Sequence, residues 1–151
     1  ELVKLADYVL PRTVITEDDV AALTPYVAEA NIFQMVDAMS VGDARTALRL
    51  LHRLLLNKEN TVFSVFGMIQ RQFRLLIIAR EHLDNGGGSG LASALGVRPF
   101  QADSFARQAR GFSMGDLELI YHKLLDTDIA MKTGEMEPEL AVDLLITSLK
   151  S

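Results

Sequence analysis

The sequence predicts an all-α fold, a helical bundle. Apolar residues recur at the helical spacing i, i+3, i+4 and i+7 along nearly the whole chain, whereas strand-like alternation never persists beyond a few residues. Capping residues and breakers separate these periodic stretches, as expected for consecutive helices. With 151 residues, 49% of them hydrophobic, the chain is long and apolar enough to bury one ordinary core.

The first two predicted helices precede the main bundle. Apolar residues at helical spacing predict a helix over residues 1–10, which Pro11 ends. This helix begins without a capping residue, so we expect the sequence to start inside a larger protein. Thr16 predicts the N-cap of a short second helix, because three acidic residues follow it at the positive end of the helix dipole. That helix is expected to end near Pro25, and residues 26–30 to join it to the bundle.

The next three helices are predicted over residues 31–39, 44–56 and 61–83. Asp43 predicts the N-cap of the second of these, in which small and apolar residues face one way while arginines and His52 face the other. The third is the longest and is apolar on two sides. It is therefore expected to be central, with neighbouring helices packed around it.

A glycine-rich stretch and four further helices complete the prediction. The glycine-rich residues 84–90 predict a mobile surface loop. They do not form a phosphate-binding loop, because such a loop needs a lysine and a preceding strand. The helices are predicted over residues 92–95, 100–110, 114–132 and 138–149. Gly96 is expected to cap the end of the first of these, and Ser113 the start of the third. The last helix is expected to bury Ala141, Leu144, Leu145 and Leu149.

The composition excludes several classes of protein. The chain has no cysteine, which rules out disulfides, thiolate metal sites and cysteine nucleophiles. Its only histidines are His52, His82 and His122, too few for most histidine metal sites. No apolar run is expected to reach the length of a membrane span, and no signal peptide opens the chain. These features indicate a soluble protein of a reducing compartment.

The sequence contains no arrangement of potential catalytic residues beyond what chance would produce. Asp126 and Asp128 are paired carboxylates, but a spacing of two places them on different helix faces. Asp128 and Lys132 are spaced to form a surface ion pair. His52 and His122 lie on polar helix faces and are expected to be surface residues. We therefore expect no catalytic, cofactor-binding or metal-binding residue.

The net charge of −5 hides an acidic, basic, acidic order along the chain. Residues 1–43 carry two basic and eight acidic side chains, residues 44–110 carry ten basic and four acidic, and residues 111–151 carry three basic and eight acidic. Such asymmetry indicates binding to a protein partner or to nucleic acid, or opposite charges that pair with one another within the fold.

Arginines dominate the basic middle of the chain and form three rows at helical spacing. The rows are Arg71 with Arg74, Arg107 with Arg110, and Arg45 with Arg49 and Arg53. Three interpretations stay open: salt bridges within the fold, a protein interface, and neutralisation of nucleic-acid phosphates. Arginine with few lysines favours bidentate pairing to carboxylates over binding to phosphates.

Seven short motifs occur in the order in which they occur in one protein family. They are Ile15-Thr16 with Asp19-Val20; Ile32-Phe33 through Asp37-Ala38; Gly42-Asp43 with Ala47-Leu48 and Leu51; Ile69 to Arg74; Leu95-Gly96-Val97 with Pro99-Phe100; Gln108-Ala109-Arg110 with Phe112-Ser113; and Asp128 with Lys132 and Gly134. In these motifs the chain resembles the C-terminal part of the delta subunit of the bacterial DNA polymerase III clamp loader. Gly86 to Gly90 departs from the family pattern.

The resemblance implies a domain organisation and a role. Residues 1–27 would be the end of a helical lid domain, and residues 28–151 a helical collar domain that joins delta to the gamma/tau and delta prime subunits. The sliding clamp would be bound only through an N-terminal domain absent from this sequence, and DNA by the full complex. The resemblance further implies a non-hydrolysing subunit in the bacterial cytoplasm, at the replisome on the nucleoid, without a membrane partner. Arg71, Arg74, Arg107 and Arg110 match motif arginines and are candidates for subunit contacts or salt bridges.

Two other functions remain open from the sequence. One is a helical nucleic-acid-binding domain that uses the arginines of residues 44–110, and it predicts DNA affinity that falls steeply with salt. The other is an unrelated helical enzyme or regulator with the same patterning. The sequence that precedes residue 1 in the full gene would discriminate, because an upstream ATPase-like domain supports the clamp-loader interpretation.

Overall fold

The computed structural model describes the backbone of residues 17–87 and 89–149, and side chains from residue 27 onward. These residues form helices and connecting turns without a strand, which confirms the all-α prediction. The helices are α1 (Glu17–Ser40), α2 (Ala44–Leu56), α3 (Val62–Asp84), α4 (Leu91–Leu95), α5 (Pro99–Ala109), α6 (Met114–Lys132) and α7 (Pro138–Ser148). The helix predicted over residues 1–10 and the predicted cap Thr16 lie outside the described residues.

Helix α3 is the centre of the bundle, as its two apolar sides predicted. It contacts all six other described helices. Phe66, Ile69, Phe73 and Leu76 are at most 2% exposed, so this stripe lies in the middle of the core. Phe73 also meets Phe112 edge-on, with ring centroids 5.8 Å apart.

Although no uninterrupted apolar run reaches the length of a membrane span, α3 is long and apolar enough to cross one by length and composition alone. The helix has 23 residues, and 44% of its most apolar window is buried inside the bundle. Packing against the other described helices accounts for its buried apolar residues.

Helix α1 corrects the prediction of two short helices separated near Pro25. The helix runs from Glu17 to Ser40 without a break. Proline removes one backbone hydrogen bond from a helix interior but does not prevent the helix from continuing. The C-terminal half of α1 is held by the core, because Ile32, Met35 and Val36 are at most 2% exposed. Tertiary packing on one side of Pro25 therefore outweighs the local breaker.

The predicted caps are confirmed where side chains are described. The Asp43 carboxylate accepts a hydrogen bond from the Thr46 amide at 3.1 Å and caps α2. Ser113 caps α6 through the amide of Asp116. Gly96 ends α4 with φ of 70°, a left-handed conformation that favours glycine.

The inward face of α7 differs from the prediction. Leu144 is 47% exposed, whereas Val142 and Ile146 are buried beside Ala141 and Leu145. Helix α7 contacts α6, α2 and α3, so its buried stripe follows the i, i+1, i+4 and i+5 positions. Helical periodicity alone gives i+3 and i+4 nearly equal weight, which is why Leu144 was placed inward.

Candidate interaction site on helices α1, α3 and α5

Two buried glutamines join α1 to α3, which carries the predicted Arg71 and Arg74, and to α5, which carries the predicted Arg107. Gln72 of α3 is 6% exposed and Gln108 of α5 is 3% exposed. The Gln72 Nε2 donates to the Gln108 Oε1 at 2.6 Å. The Gln108 Nε2 in turn donates to the Phe33 carbonyl at 2.9 Å and to the Asp37 Oδ1 at 2.8 Å, both on α1. Buried amides need such partners, so this network fixes how the three helices meet.

This amide network unites residues from three of the sequence motifs, although it was not predicted as a site. Asp37, Gln72 and Gln108 come from motifs that are 36 and 71 residues apart along the chain. The signal that could have found them is polarity at core positions. Gln72 sits between Ile69 and Leu76 on an apolar stripe, where a lone amide has to find a partner.

Arg107 lies at the edge of this network. Its Nη2 is 3.9 Å from the Asp37 Oδ2, and its guanidinium carbon lies 5.8 Å from the centre of the Phe33 ring. Phe33 also packs edge-on against Phe105, with centroids 5.8 Å apart. Because the Arg107 side chain is 64% exposed, this long ion pair is weak and chiefly orients the arginine.

Arg71 and Arg74 lie on the outer surface of α3. Both are exposed, and neither forms an ion pair or hydrogen bond with a side chain that the structure describes. Their spacing places them on the same face of the helix, as predicted. The two guanidinium groups therefore form a pair of charges that the described part of the fold leaves uncompensated.

Arg110, unlike Arg107, lines an open depression of about 600 Å³ between α3, α4 and α5. Arg80, Asp103, Gly86 and Gly87 also line it. Arg80 pairs with Asp84: the Arg80 Nη2 and Nε donate hydrogen bonds to the Asp84 Oδ1 at 2.6 Å and 3.1 Å. This hydrogen bond lowers the pKa of Asp84 and raises that of Arg80. Arg110 has no ion pair with a described side chain.

The third row, on α2, presents a continuous basic surface. Arg45, Arg49 and Arg53 are all exposed at i, i+4 and i+8, and α2 contains no acidic residue. Asp43 precedes the row. Hydrogen bonds from Thr46 are the main reason why its pKa is lowered, with smaller contributions from Arg49 and Arg45.

The other candidates behave as surface groups. Asp128 and Lys132 form the predicted ion pair at 3.1 Å. His52 is half-exposed, and its Nε2 lies 2.9 Å from the Asp143 Oδ1, which links α2 to α7. Within residues 27–87 and 89–149, no three histidine, aspartate or glutamate side chains gather as a metal site requires.

Comparison with known proteins identifies relatives of the chain. The family model for the C-terminal domain of the DNA polymerase III delta subunit matches residues 29–149. A DNA polymerase III subunit delta from Bacillus subtilis (strain 168) is 32% identical over 150 residues, which are 99% of this chain and 43% of that protein. The solved Bacillus subtilis DNA clamp loader delta protein (YqeN) matches with a TM-score of 0.77 at 31% identity, over 98% of this chain and 44% of that chain. The chain thus spans less than half the length of these relatives.

Proposed function

Since this chain belongs to the family of DNA polymerase III delta subunits, we propose that it supplies the assembly module of delta in a bacterial clamp loader. In this role the bundle binds the gamma/tau and delta prime subunits and fixes the place of delta among them. It acts as a scaffold rather than as a catalyst, in the bacterial cytoplasm at the replisome. Clamp opening and DNA contact belong to other parts of the complex.

The proposed domain boundary lies between residues 27 and 28. The family match, which begins at residue 29, supports this position. Because α1 runs from Glu17 to Ser40, the boundary falls inside a helix. In the proposed arrangement α1 is shared by the lid and the collar, so that a rotation of the lid is transmitted to the bundle.

The observation that carries the proposal is the uncompensated charge on the surface of the bundle. Arg71, Arg74 and Arg110 are exposed and have no ion-pair partner among the described side chains. The planar guanidinium group matches carboxylates in bidentate geometry, and arginine is enriched at protein interfaces. Arg107 is already held by Asp37 and Phe33, so we assign it to the edge of the core.

Charge reversal tests this assignment. The full-length gene product, carrying Arg71→Glu with Arg74→Glu, is mixed with the tau and delta prime subunits of the same organism and passed over a sizing column. We expect the wild-type protein to co-elute with the subunits and the double variant to lose most of the complex. Arg49→Glu with Arg53→Glu reverses two exposed arginines on another helix; it is the matched control and should co-elute normally. Failure of the wild-type protein to co-elute at any salt concentration contradicts the proposal.

A second candidate function rests on the basic face of α2. Arg45, Arg49 and Arg53 could contact phosphates along a nucleic-acid backbone, since no acidic residue interrupts the row. The fluorescence anisotropy of a labelled duplex, titrated at low salt, tests this function. Binding that falls steeply with salt and is lost on replacing the three arginines with glutamine supports it, and a flat titration rejects it.

A further inference from the structure

One strip along α3 stays exposed although α3 is the central helix. Phe63, Gly67, Arg71 and Arg74 lie at i, i+4, i+8 and i+11 and are all exposed. This spacing places them on one face of the helix, over a length of about 16 Å. We call these four residues the exposed α3 strip. Three turns of another helix could lie along it.

Gly67 is the unexpected member of the strip. Glycine is an unfavourable residue in a helix interior, because it loses more backbone freedom on folding than any other residue. A Cβ at this position would meet nothing within 4 Å, and the backbone there has no positive φ. Neither the described packing nor the backbone conformation thus calls for a glycine. A missing side chain does allow a second backbone to approach closely.

The neighbours of Gly67 indicate what would approach. Phe63 is 49% exposed, so its ring offers apolar surface at one end of the strip. Arg71 and Arg74 offer two uncompensated charges at the other end. An aromatic ring beside arginines is typical of protein interfaces, whereas α3 contains no lysine to extend a phosphate-binding track. Guanidinium groups pair with anionic oxygens, which on a protein partner are carboxylates, so the complementary surface is acidic.

We propose that the exposed α3 strip binds a helix of another subunit, which crosses close over Gly67 and presents carboxylates to Arg71 and Arg74. This inference rests on the proposed function, since it specifies the partner surface of the same assembly module. Gly67 lowers the stability of the isolated bundle, because glycine is a poor helix former. In the complex, its missing side chain lets the partner helix approach closely. Replacing Gly67 should therefore move stability and assembly in opposite directions.

Two substitutions at Gly67 measure these opposite effects in the full-length gene product. Gly67→Ala should raise Tm by about 1–4 °C, because alanine is the better helix former and meets no clash. Gly67→Leu should leave the circular dichroism and Tm of the free protein undiminished, yet raise its Kd for the tau and delta prime subunits about tenfold or more. Gly115→Leu on α6 is the matched control, since Gly115 is exposed and its Cβ would meet only the Ser113 Oγ at 3.8 Å, and it should leave Kd unchanged.

The outcomes separate this inference from the proposed function. If the wild-type protein does not bind the subunits, both fall. If it binds and Gly67→Leu binds equally well, only the strip is refuted. A loss of Tm in Gly67→Leu would show that the close contact lies within the chain, which also refutes the strip. A nucleic-acid partner would also refute the strip. In that case the wild-type protein binds a labelled oligonucleotide, and the double variant Arg71→Glu with Arg74→Glu loses this binding but still binds the subunits.

Discussion

Replacing Gln108 with methionine tests whether the buried amide network joins α1, α3 and α5. Methionine keeps the length of the side chain and removes its hydrogen bonds. The change leaves the Gln72 amide without its partner at a position only 6% exposed. It also removes the bonds to the Phe33 carbonyl and to Asp37.

The expected cost follows from these contacts. An unsatisfied buried amide costs about 1–3 kcal/mol, and each lost hydrogen bond about 0.5–1.5 kcal/mol. Water can replace the bond to Asp37, whose side chain is 41% exposed, so that loss is small. Gln108→Met should therefore lower the free energy of unfolding by about 2–4 kcal/mol. Gln72→Met together with Gln108→Met should cost less than the sum of the single changes, because no amide is left unpaired.

Urea unfolding followed by circular dichroism at 222 nm measures these values, since the chain has no tryptophan to report by fluorescence. Gln34→Met, on the exposed side of α1, is the control and should change the free energy by less than about 0.5 kcal/mol. Single changes that add to the double within about 0.5 kcal/mol would refute a coupled network.

Three further predictions address the core, the α2 cap and the edge arginine. Leu76→Ala should cost about 2–5 kcal/mol in urea unfolding because Leu76 is fully buried, whereas Leu144→Ala on the exposed side of α7 should cost less than about 1 kcal/mol. Hydrogen bonds from Thr46 lower the pKa of Asp43, so its contribution to stability is present above the ordinary value of 3.8 and lost as pH falls through the lowered pKa. In Asp43→Asn, the free energy of unfolding, measured by urea unfolding at a series of pH values, should fall less at acid pH than in the wild-type protein. Arg107→Ala should cost at most about 1 kcal/mol in the same urea assay, because its ion pair is long and exposed.

The sequence was informative wherever a local pattern decides the structure. The periodicity of α3 predicted a central helix because its apolar residues encircle most of the helix, and the structure confirms this. The caps Asp43 and Ser113 depend on side chains that bond within their own turn. Such features need no knowledge of the rest of the fold.

Features that depend on distant contacts were not predicted. The continuation of α1 through Pro25 depends on packing further along the same helix. The pairing of Gln72 with Gln108 joins residues 36 positions apart, and polarity at a core position indicates that a partner exists without saying which one. The arginines were identified, but only the structure separates Arg107, which lies near Asp37 and Phe33, from Arg71 and Arg74, which have no described partner.

The proposal that residues 28–149 form an assembly module is tested most directly by a cryo-electron microscopy structure of the full-length gene product with its tau and delta prime subunits. We expect this segment to contact a neighbouring subunit, with the guanidinium groups of Arg71 and Arg74 within about 4 Å of carboxylates of that subunit. A structure in which the exposed α3 strip faces solvent would contradict the assigned surface. One in which residues 28–149 contact no other subunit would contradict the assembly role itself.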